Sequence, residues 1–288
     1  RFSIAIMVAF FYRAVMTKLL EGKKGLIIGV ANERSLAWGI AKTLHANGAR
    51  LGFTYLSETF KKRVEPLSQS LSADILVQCN VSEQSSIDEA FESIKNQWGT
   101  FDFLVHSVAF SDKNELRGPY YNTSLENFLN AMNVSCYSFT ALSRKASEMM
   151  PVGGSLVTLS YYGAEKVVPH YNVMGICKAA LEMSVKYLAC DLGKQGIRVN
   201  AISAGPVKTL AASAIGDFDY ILKWNQYNSP LRRNTTLDDV GGSALYLLSD
   251  LGAGTTGEIL HVDCGYNVVG MKAVDAPDID YVRDVNKG

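Results

Sequence analysis

The sequence has no excess of charge of either sign and few residues that could bind a metal or form disulfides. Lys plus Arg and Asp plus Glu each total 28, so no net charge favours nucleic acid or an anionic membrane surface as a partner. The four histidines show no ligand spacing, which predicts no metal site. The five cysteines are odd in number and include no CxxC pair, which indicates buried thiols in a reducing, cytoplasmic compartment rather than disulfides.

The sequence also lacks an apolar run long enough to cross a bilayer, which predicts a soluble protein. The run in residues 1–15, RFSIAIMVAFFYRAV, is too short to span, and no A-x-A cleavage pattern follows it. Met16 then opens MTKLLEGKKGLIIG, which resembles a natural start leading into a first strand. We interpret residues 1–15 as an N-terminal extension of uncertain origin, with a short interfacial helix as the alternative. Residues 16–288 are expected to form a single domain.

Apolar runs without alternation recur along the chain, separated by segments with helical spacing. The apolar runs predict seven strands, at 25–30, 49–55, 74–81, 101–110, 153–161, 197–203 and 257–265. Helical spacing is found at 36–48, at 86–99 with Ser85 or Ser86 as its cap, and at 238–250. This pattern indicates an α/β fold with a single doubly wound, Rossmann-like parallel sheet of about seven strands and helices on both faces. The ligand of such a sheet should lie beyond the carboxyl ends of the strands.

The loop after the first predicted strand, GVANERSLAWG (29–39), lacks the G-x-G-x-x-G fingerprint of dinucleotide sites. Gly29 stands where the chain must turn, and it fits a plain turn as well as a pyrophosphate site. Ser35 begins the next helix, where its hydroxyl could cap the helix or contact a phosphate. The second strand ends without an acid at Tyr55 or Leu56 for a ribose hydroxyl, and without an Arg for a 2′-phosphate. These residues favour NADH over NADPH.

The stretch YNVMGICK (171–178) places a tyrosine and a lysine at the ends of a segment that can form a helix. Seven residues are about two helical turns, so Tyr171 and Lys178 lie near one face. A buried helix whose lysine reaches water explains this pair without any catalytic role. Other segments decide between these interpretations.

Several segments in one fixed order carry a family resemblance: SLAWGIA, FTY, QCNVSEQSSID, VHSVAF, TLSYYGAE, YNVMGICKAALE, GIRVNAISAGPVKTLAAS and GEILHVDCG. Over residues 16–272 the chain resembles the NADH-dependent enoyl-acyl-carrier-protein reductases of bacterial type II fatty-acid synthesis, a divergent branch of the short-chain dehydrogenases. The resemblance implies hydride transfer from NADH to the β-carbon of a trans-2-enoyl thioester. It also implies acyl carrier protein as the partner that bears the substrate, and assembly as a homotetramer.

The resemblance further implies the site residues. The family pattern Tyr-x6-Lys is matched by Tyr171, which would bind the thioester carbonyl oxygen, and Lys178, which would bind the nicotinamide ribose. Tyr161, ten residues upstream of Tyr171, would flank the acyl chain, and the backbone from Ala109 to Ser111 would border the substrate. The cofactor would be held by Gly29, Ser35, Leu36, Leu56, Asn80, Val81, Val108, Lys178, Val207, Lys208, Thr209, Leu210 and Ala211.

Three positions depart from the family pattern. Leu56 stands where Gln is common, Asn80 where Asp is common and Ala109 where Gly is frequent. These departures affect cofactor affinity and pocket width. They do not touch the catalytic residues.

The segment 209–233 is expected to form a substrate-binding lid, although a surface helical pair packed on the core would give the same pattern. The cations Lys208, Lys223, Arg232 and Arg233 are candidates for docking the acidic carrier protein. The helix at 238–250 and the last strand suit either subunit contacts or the core of a single chain.

Two other functions compete with an enoyl reductase. An ordinary short-chain ketone or alcohol dehydrogenase requires Tyr-x-x-x-Lys, and Met174 occupies the position of that tyrosine. A regulatory protein that binds a cofactor without catalysis is the rival from another class. Retention of Tyr161, Tyr171 and Lys178 argues against it.

Overall fold

The computed structural model describes residues 18–210, 212 and 215–279. Its strands are β1 (Lys24–Ile28), β2 (Arg50–Tyr55), β3 (Ile75–Gln78), β4 (Phe103–His106), β5 (Ser155–Ser160), β6 (Arg198–Ala204) and β7 (Ile259–Val262). They form one sheet in the order β3-β2-β1-β4-β5-β6-β7, and each neighbouring pair is parallel. The predicted doubly wound parallel sheet is confirmed. The predicted extension, residues 1–15, lies outside the described residues.

The helices of the described chain are α1 (Leu36–Ala46), α2 (Glu58–Ser70), α3 (Gln84–Trp98), α4 (Leu125–Met132), α5 (Ser138–Ser147), α6 (Asn172–Gly193), α7 (Phe218–Asn228) and α8 (Leu237–Leu248). A π-helical turn, Asn133–Tyr137, joins α4 to α5. Among the described helices, none has both the length and the apolar character that crossing a bilayer requires.

Two apolar clusters cover the two faces of the sheet. Successive residues of a strand point to opposite faces, so Leu26 and Ile28 of β1 belong to one cluster and Ile27 to the other. The first cluster includes buried residues of α3, α5 and α6, and the second includes those of α1 and α8. Because both faces of the strands are buried, their sequences are continuously apolar rather than alternating.

The predicted ends of several elements were wrong, and those of β4 and α3 affect the site. The strand was predicted over 101–110, but β4 ends at His106, and residues 107–110 form a loop that lines the cleft. The helix α3 begins after Glu83, not at Ser85 or Ser86, and Glu83 makes no side-chain cap bond. Ser86 instead accepts a hydrogen bond from the backbone N–H of Asn80 (2.9 Å), so its hydroxyl ties the loop after β3 to the helix.

The segment from α4 to α5 was not predicted. Its signal is present in the sequence, because Leu125, Phe128, Leu129 and Met132 recur at helical spacing after Ser124. The Ser124 hydroxyl caps α4 by accepting from the N–H of Asn127 (3.1 Å). The π-helical turn interrupts this spacing, which hides the continuation into α5.

Candidate active site

One large cleft runs along the carboxyl ends of the strands. Its volume is about 1260 Å³, and residues at or just after the ends of β1 to β6 line it. The strand order reverses between β1 and β4, which is where doubly wound sheets bind their ligands. The expectation that the ligand site lies beyond the strand ends therefore agrees with the position of this cleft.

Tyr161, Tyr171 and Lys178 meet at the wall of the cleft. Tyr161 follows the last residue of β5, and Tyr171 immediately precedes α6. The two phenol rings contact edge to face, with centroids 5.0 Å apart and an interplanar angle of 74°. The Lys178 ammonium donates to the carbonyl oxygen of Leu159 on β5 (2.7 Å). Lys178 is only 6% exposed, and its ammonium is hydrogen-bonded to the backbone of β5. It therefore does not reach bulk water as the ammonium of a surface lysine does.

Gly163 allows the turn after β5 to pack directly on Tyr171. A Cβ atom at Gly163 would lie 2.4 Å from Cδ1 of Tyr171, so any side chain there would displace the ring. Gly175, on the first turn of α6, faces the same turn, and a Cβ there would lie 2.7 Å from the carbonyl oxygen of Gly163. These two glycines set the close approach of β5, its turn and the start of α6.

Burial acts in opposite directions on the tyrosines and the lysine. It raises the pKa of both Tyr161 and Tyr171 well above the ordinary value, so both phenols are neutral and can donate a hydrogen bond at physiological pH. Burial lowers the pKa of Lys178 to about 8, because the charged ammonium is poorly solvated there. The site thus holds two neutral donors beside one ammonium that deprotonates near the upper end of the physiological range.

The first turn is tight because two backbone segments approach closely there. Gly29 has φ +104°, and a Cβ there would lie 2.0 Å from the carbonyl oxygen of Ser107, the residue after β4. Ser35 precedes α1 but makes no side-chain cap bond. Its hydroxyl accepts from the backbone N–H groups of Ala31 and Asn32, at 3.0 Å each, and so braces the turn from inside.

The end of the cleft at β2 and β3 is lined by Leu56, Asn80 and Val81. The Asn80 amide is already engaged locally: its oxygen accepts from the N–H and hydroxyl of Ser82, and its nitrogen donates to Glu83 (2.6 Å). Lys61, on α2, is half-buried, and its ammonium lies 5.7 Å from the ring centroid of Tyr55. The end of β2 therefore has no Arg but does have the positive charge of Lys61 nearby.

Three polar side chains brace the loop after β4, which lines the opposite end of the cleft. Ser135, in the π-helical turn, accepts from the N–H of Phe110 (2.9 Å) and donates to its carbonyl oxygen (3.1 Å). Asn127 accepts from the N–H of Asp112 (2.9 Å). Asn172, next to Tyr171, donates to the carbonyl oxygens of Leu116 and Gly118, at 3.3 and 3.1 Å.

The predicted site residues divide into those that line the cleft and those that do not. The cleft is lined by Gly29, Leu36, Leu56, Asn80, Val81, Val108, Ala109, Ser111, Tyr161, Tyr171, Lys178, Val207 and Leu210. Ser35, Lys208 and Thr209 are not among the lining residues. Lys208 forms an exposed ion pair with Asp219 (3.1 Å). Ala211 lies outside the described residues.

Sequence reasoning did not assign Leu116 or Met174 to the cleft, although both line it. Ile215 and Phe218, which fall within the predicted lid at 209–233, also line it. Met174, which occupies the tyrosine position of ordinary short-chain dehydrogenases, is buried in an apolar cluster with Tyr171 and Leu116. Its position three residues after Tyr171 on one helix was a usable signal. Leu116 comes from a distant segment and had none. Within the described residues, no group of His, Cys, Asp and Glu side chains could hold a metal ion.

Comparison with known proteins gives one consistent family. The sequence model of a family described as Enoyl-(Acyl carrier protein) reductase matches residues 29–267. The chain is 60% identical over 266 residues to Enoyl-[acyl-carrier-protein] reductase [NADH] 1 of Rhizobium meliloti, covering 92% of this chain and 98% of that protein.

Solved structures give the same result. The enoyl-(acyl-carrier-protein) reductase of Anaplasma phagocytophilum in complex with NAD is 68% identical, with a TM-score of 0.87 over 92% of this chain and 99% of that one. The Bacillus cereus enoyl-acyl carrier protein reductase with NADP+ and indole naphthyridinone is 48% identical, with a TM-score of 0.86 over 88% of this chain and 100% of that one.

Proposed function

The chain belongs to the enoyl-(acyl carrier protein) reductase family, and we propose that Tyr171, Lys178 and Tyr161 perform the family's reaction in it. The protein is an NADH-dependent oxidoreductase that reduces the trans-2 double bond of enoyl thioesters of acyl carrier protein, the last reduction of each fatty-acid elongation cycle. The observation that supports these three residues is their meeting at one cleft wall, with the phenol rings 5.0 Å apart.

The cleft fits a dinucleotide in its size and in the groups along it. Its volume of about 1260 Å³ exceeds the roughly 300–1,000 Å³ of ordinary small-molecule pockets, which leaves room for an acyl chain beside the cofactor. Leu56, Asn80 and Val81 would hold the adenine end, and the N-terminus of α1 with Leu36 would face the phosphates. When bound, NADH supplies the hydride that reduces the β-carbon.

Tyr171 is placed to stabilise the charge that develops on the substrate. Reduction at the β-carbon moves negative charge onto the thioester oxygen, and a neutral phenol can donate a hydrogen bond to that oxygen. Such a donor is typically worth about 3–4 kcal/mol in the transition state. Lys178, fixed by its bond to Leu159, would hold the nicotinamide ribose in register with Tyr171.

Apolar side chains around the tyrosines would hold the acyl chain and exclude water. Leu116 and Met174 line the cleft beside Tyr171, and Ile215 and Phe218 line it from the region of α7. Removing water from the reacting groups strengthens the hydrogen bond from the tyrosine. Tyr161, packed edge-on against Tyr171, would flank the chain.

We also propose that residues 209–233 act as a lid over the acyl chain. The single α-helix in the described part of this segment, α7, buries Ile221 and presents Phe218 to the cleft.

The cations considered for carrier-protein docking are largely neutralised by nearby carboxylates. Arg232 pairs with Asp275 (2.6 Å) and Arg233 with Asp239 (2.6 Å), as Lys208 does with Asp219.

A homotetramer and a cytoplasmic location are further proposals from the family. One face of α6 supports the first, because Ile176, Met183 and Tyr187 are exposed on it at spacings of seven and four residues. For the helix α8 the second alternative, the core of a single chain, agrees with its packing, because its buried residues pack with those of α1. Four of the five cysteines are buried as free thiols, which is compatible with a reducing compartment.

The direct test is the activity of Tyr171→Phe and Lys178→Ala with a crotonyl thioester, followed as NADH oxidation. Tyr171→Phe should lower kcat by roughly 100- to 1000-fold, because it removes only the donor to the thioester oxygen. It should still bind NADH and unfold at the temperature of the unsubstituted protein. Turnover of both variants at the unsubstituted rate would refute the assignment of these residues.

A further inference from the structure

The catalytic helix carries a second ionisable residue that the mechanism does not yet use. Glu182 lies four residues after Lys178 on α6, so the two side chains project from the same side of the helix. Glu182 is half-buried, and its carboxylate accepts a hydrogen bond from the hydroxyl of Ser160 (2.5 Å). Lys178 donates to Leu159, the residue immediately before Ser160.

The two side chains therefore hold two consecutive residues at the end of β5. Lys178 holds the carbonyl of Leu159, and Glu182 holds the hydroxyl of Ser160, which is 4% exposed. Tyr161 comes next in the chain, so this double attachment fixes the point from which it leaves the sheet.

The charges around Lys178 single out Glu182. The thiols of Cys177 and Cys136 would act on the ammonium if ionised, but burial raises the pKa of Cys177 to about 11 and also raises that of Cys136, so neither is a thiolate near pH 8. His106 is also close, and burial lowers its pKa to about 3, so it is neutral. Glu182 is the remaining acidic group that acts on Lys178 in the described chain.

Three other charged or titratable groups act on Glu182. His261 on β7 pairs with Glu165 (2.6 Å), and Lys186 follows one turn later on α6. Glu165 disfavours the Glu182 carboxylate, while His261 and Lys186 favour it. Burial raises the pKa of Glu182, and the hydrogen bond from Ser160 opposes this effect. The hydroxyl of Ser160 thus helps to keep this half-buried acid ionised.

We propose that Glu182, anchored by Ser160, is a positioning residue that keeps the Lys178 ammonium charged and in place at the nicotinamide ribose. This inference rests on the proposed role of Lys178. It makes a pH-dependent prediction, because an ammonium that loses a nearby negative charge gives up its proton at a lower pH.

The test is the dissociation constant of NADH, read from its fluorescence between pH 6 and 10, together with kcat/KM over the same range. In Glu182→Gln, which can still accept from Ser160, the alkaline loss of binding should move to lower pH by roughly half a unit, about a threefold weaker affinity above the transition. Ser160→Ala should move it in the same direction. The matched control is Asp191→Asn, an exposed acid further along the same helix, which should leave the profile unchanged.

Lys178→Ala separates this inference from the proposed function. If that variant keeps the alkaline transition of the unsubstituted protein, the role of Lys178 itself is wrong. If it loses the transition while Glu182→Gln superimposes on the unsubstituted protein, the inference about Glu182 alone is overturned. A Glu182→Gln shift without one in Ser160→Ala would overturn the anchoring by Ser160. Circular dichroism and thermal unfolding at pH 7 establish that each variant is folded.

Discussion

His106 shows how a buried titratable residue can serve the site without being part of its chemistry. It ends β4, and the loop that follows lines the cleft. Its Nδ1 lies 2.8 Å from the Thr158 hydroxyl and its Nε2 lies 2.9 Å from the Ser138 hydroxyl. Because Ser138 donates its own hydrogen to the carbonyl of Val134, it must accept from Nε2, and Nδ1 must accept from Thr158. The imidazole is therefore neutral with its proton on Nε2.

This arrangement predicts a loss of stability in acid. Burial lowers the pKa of His106 in the folded protein to about 3, from about 6.5 when unfolded. Below pH 6.5 the unfolded chain binds a proton that the folded one does not, so the stabilisation present at neutral pH is lost as the pH falls. Between pH 7 and 4.5 this should cost about 3 kcal/mol in the free energy of unfolding.

Urea unfolding at these two pH values measures the effect. Carboxylates also contribute to acid sensitivity, so the comparison is with His106→Asn, which is less stable at pH 7 but cannot titrate there. The free energy of unfolding of the variant should fall by about 3 kcal/mol less than that of the unsubstituted protein. Equal losses in both proteins would show that His106 does not remain neutral in the fold.

At the same scale, the sequence predicted where residues lie in the fold better than it predicted where their side chains point. Tyr171 and Lys178 were predictable because one helix fixes their relative position, whatever the rest of the chain does. Lys208 was assigned to the cofactor from its place in a motif, yet its ammonium pairs with Asp219. A motif gives the position of the backbone, but the direction of a long flexible side chain depends on charges from other segments.

Among the elements, predictability followed burial. All seven strands were predicted because both of their faces are covered by helices, so each strand is a continuous apolar run in the sequence. Such a run can be recognised without knowing which strands pair with it. The helices α4 and α5 were missed because a π-helical turn breaks their common spacing at Asn133–Tyr137. The same turn supplies Ser135, which braces the loop at Phe110. The π-helical turn that concealed α4 and α5 in the sequence therefore also helps to form the cleft.

That loop gives a prediction at the scale of an element. Asn172 donates to the carbonyls of Leu116 and Gly118, so Asn172→Ala should release the loop that carries Leu116 into the cleft. The KM for enoyl thioesters should rise by roughly 5- to 30-fold, the equivalent of about 1–2 kcal/mol for a lost hydrogen-bonding group, with kcat much less affected.

The matched control for Asn172→Ala is Asn122→Ala, an exposed asparagine beyond the same loop, which should leave KM unchanged. The KM for enoyl thioesters is measured at saturating NADH, and the Kd of NADH separately. A loss confined to NADH binding, with an unchanged KM for the thioester, would contradict a role for Asn172 in the substrate wall.

The proposed lid can be examined through its response to ligands. If residues 209–233 close over the acyl chain, limited proteolysis within this segment should slow when NADH and an enoyl thioester analogue are present. Trp224 gives a site-specific comparison, because its indole N–H donates to the hydroxyl of Tyr266 (2.8 Å) and ties α7 to the segment after β7. Trp224→Phe should be cleaved faster without ligand. Identical cleavage of 209–233 with and without ligand would refute a mobile lid.

At the scale of the whole molecule, the exposed apolar face of α6 is the proposed surface for contact between subunits, and the same helix carries Lys178. Met183 is 51% exposed and Tyr187 69% exposed, while Val185 between them is fully buried against the sheet. The opposite face of the same helix holds Lys178 in the cleft wall. A second copy of the chain packed on this face would therefore support the helix that positions Lys178, the lysine proposed to act in the reaction.

A double substitution on this face tests that connection. Met183→Lys with Tyr187→Lys places two cations on the proposed contact, and burying unpaired charges there should dissociate the proposed homotetramer. Light scattering should show a smaller mass, and activity should become dependent on protein concentration because α6 loses its support. The control is Val167→Lys, a fully exposed apolar residue outside α6, which should keep both mass and activity. A double variant that keeps the mass of the unsubstituted protein would exclude this face as a subunit contact, and the proposed assembly would then require a different surface.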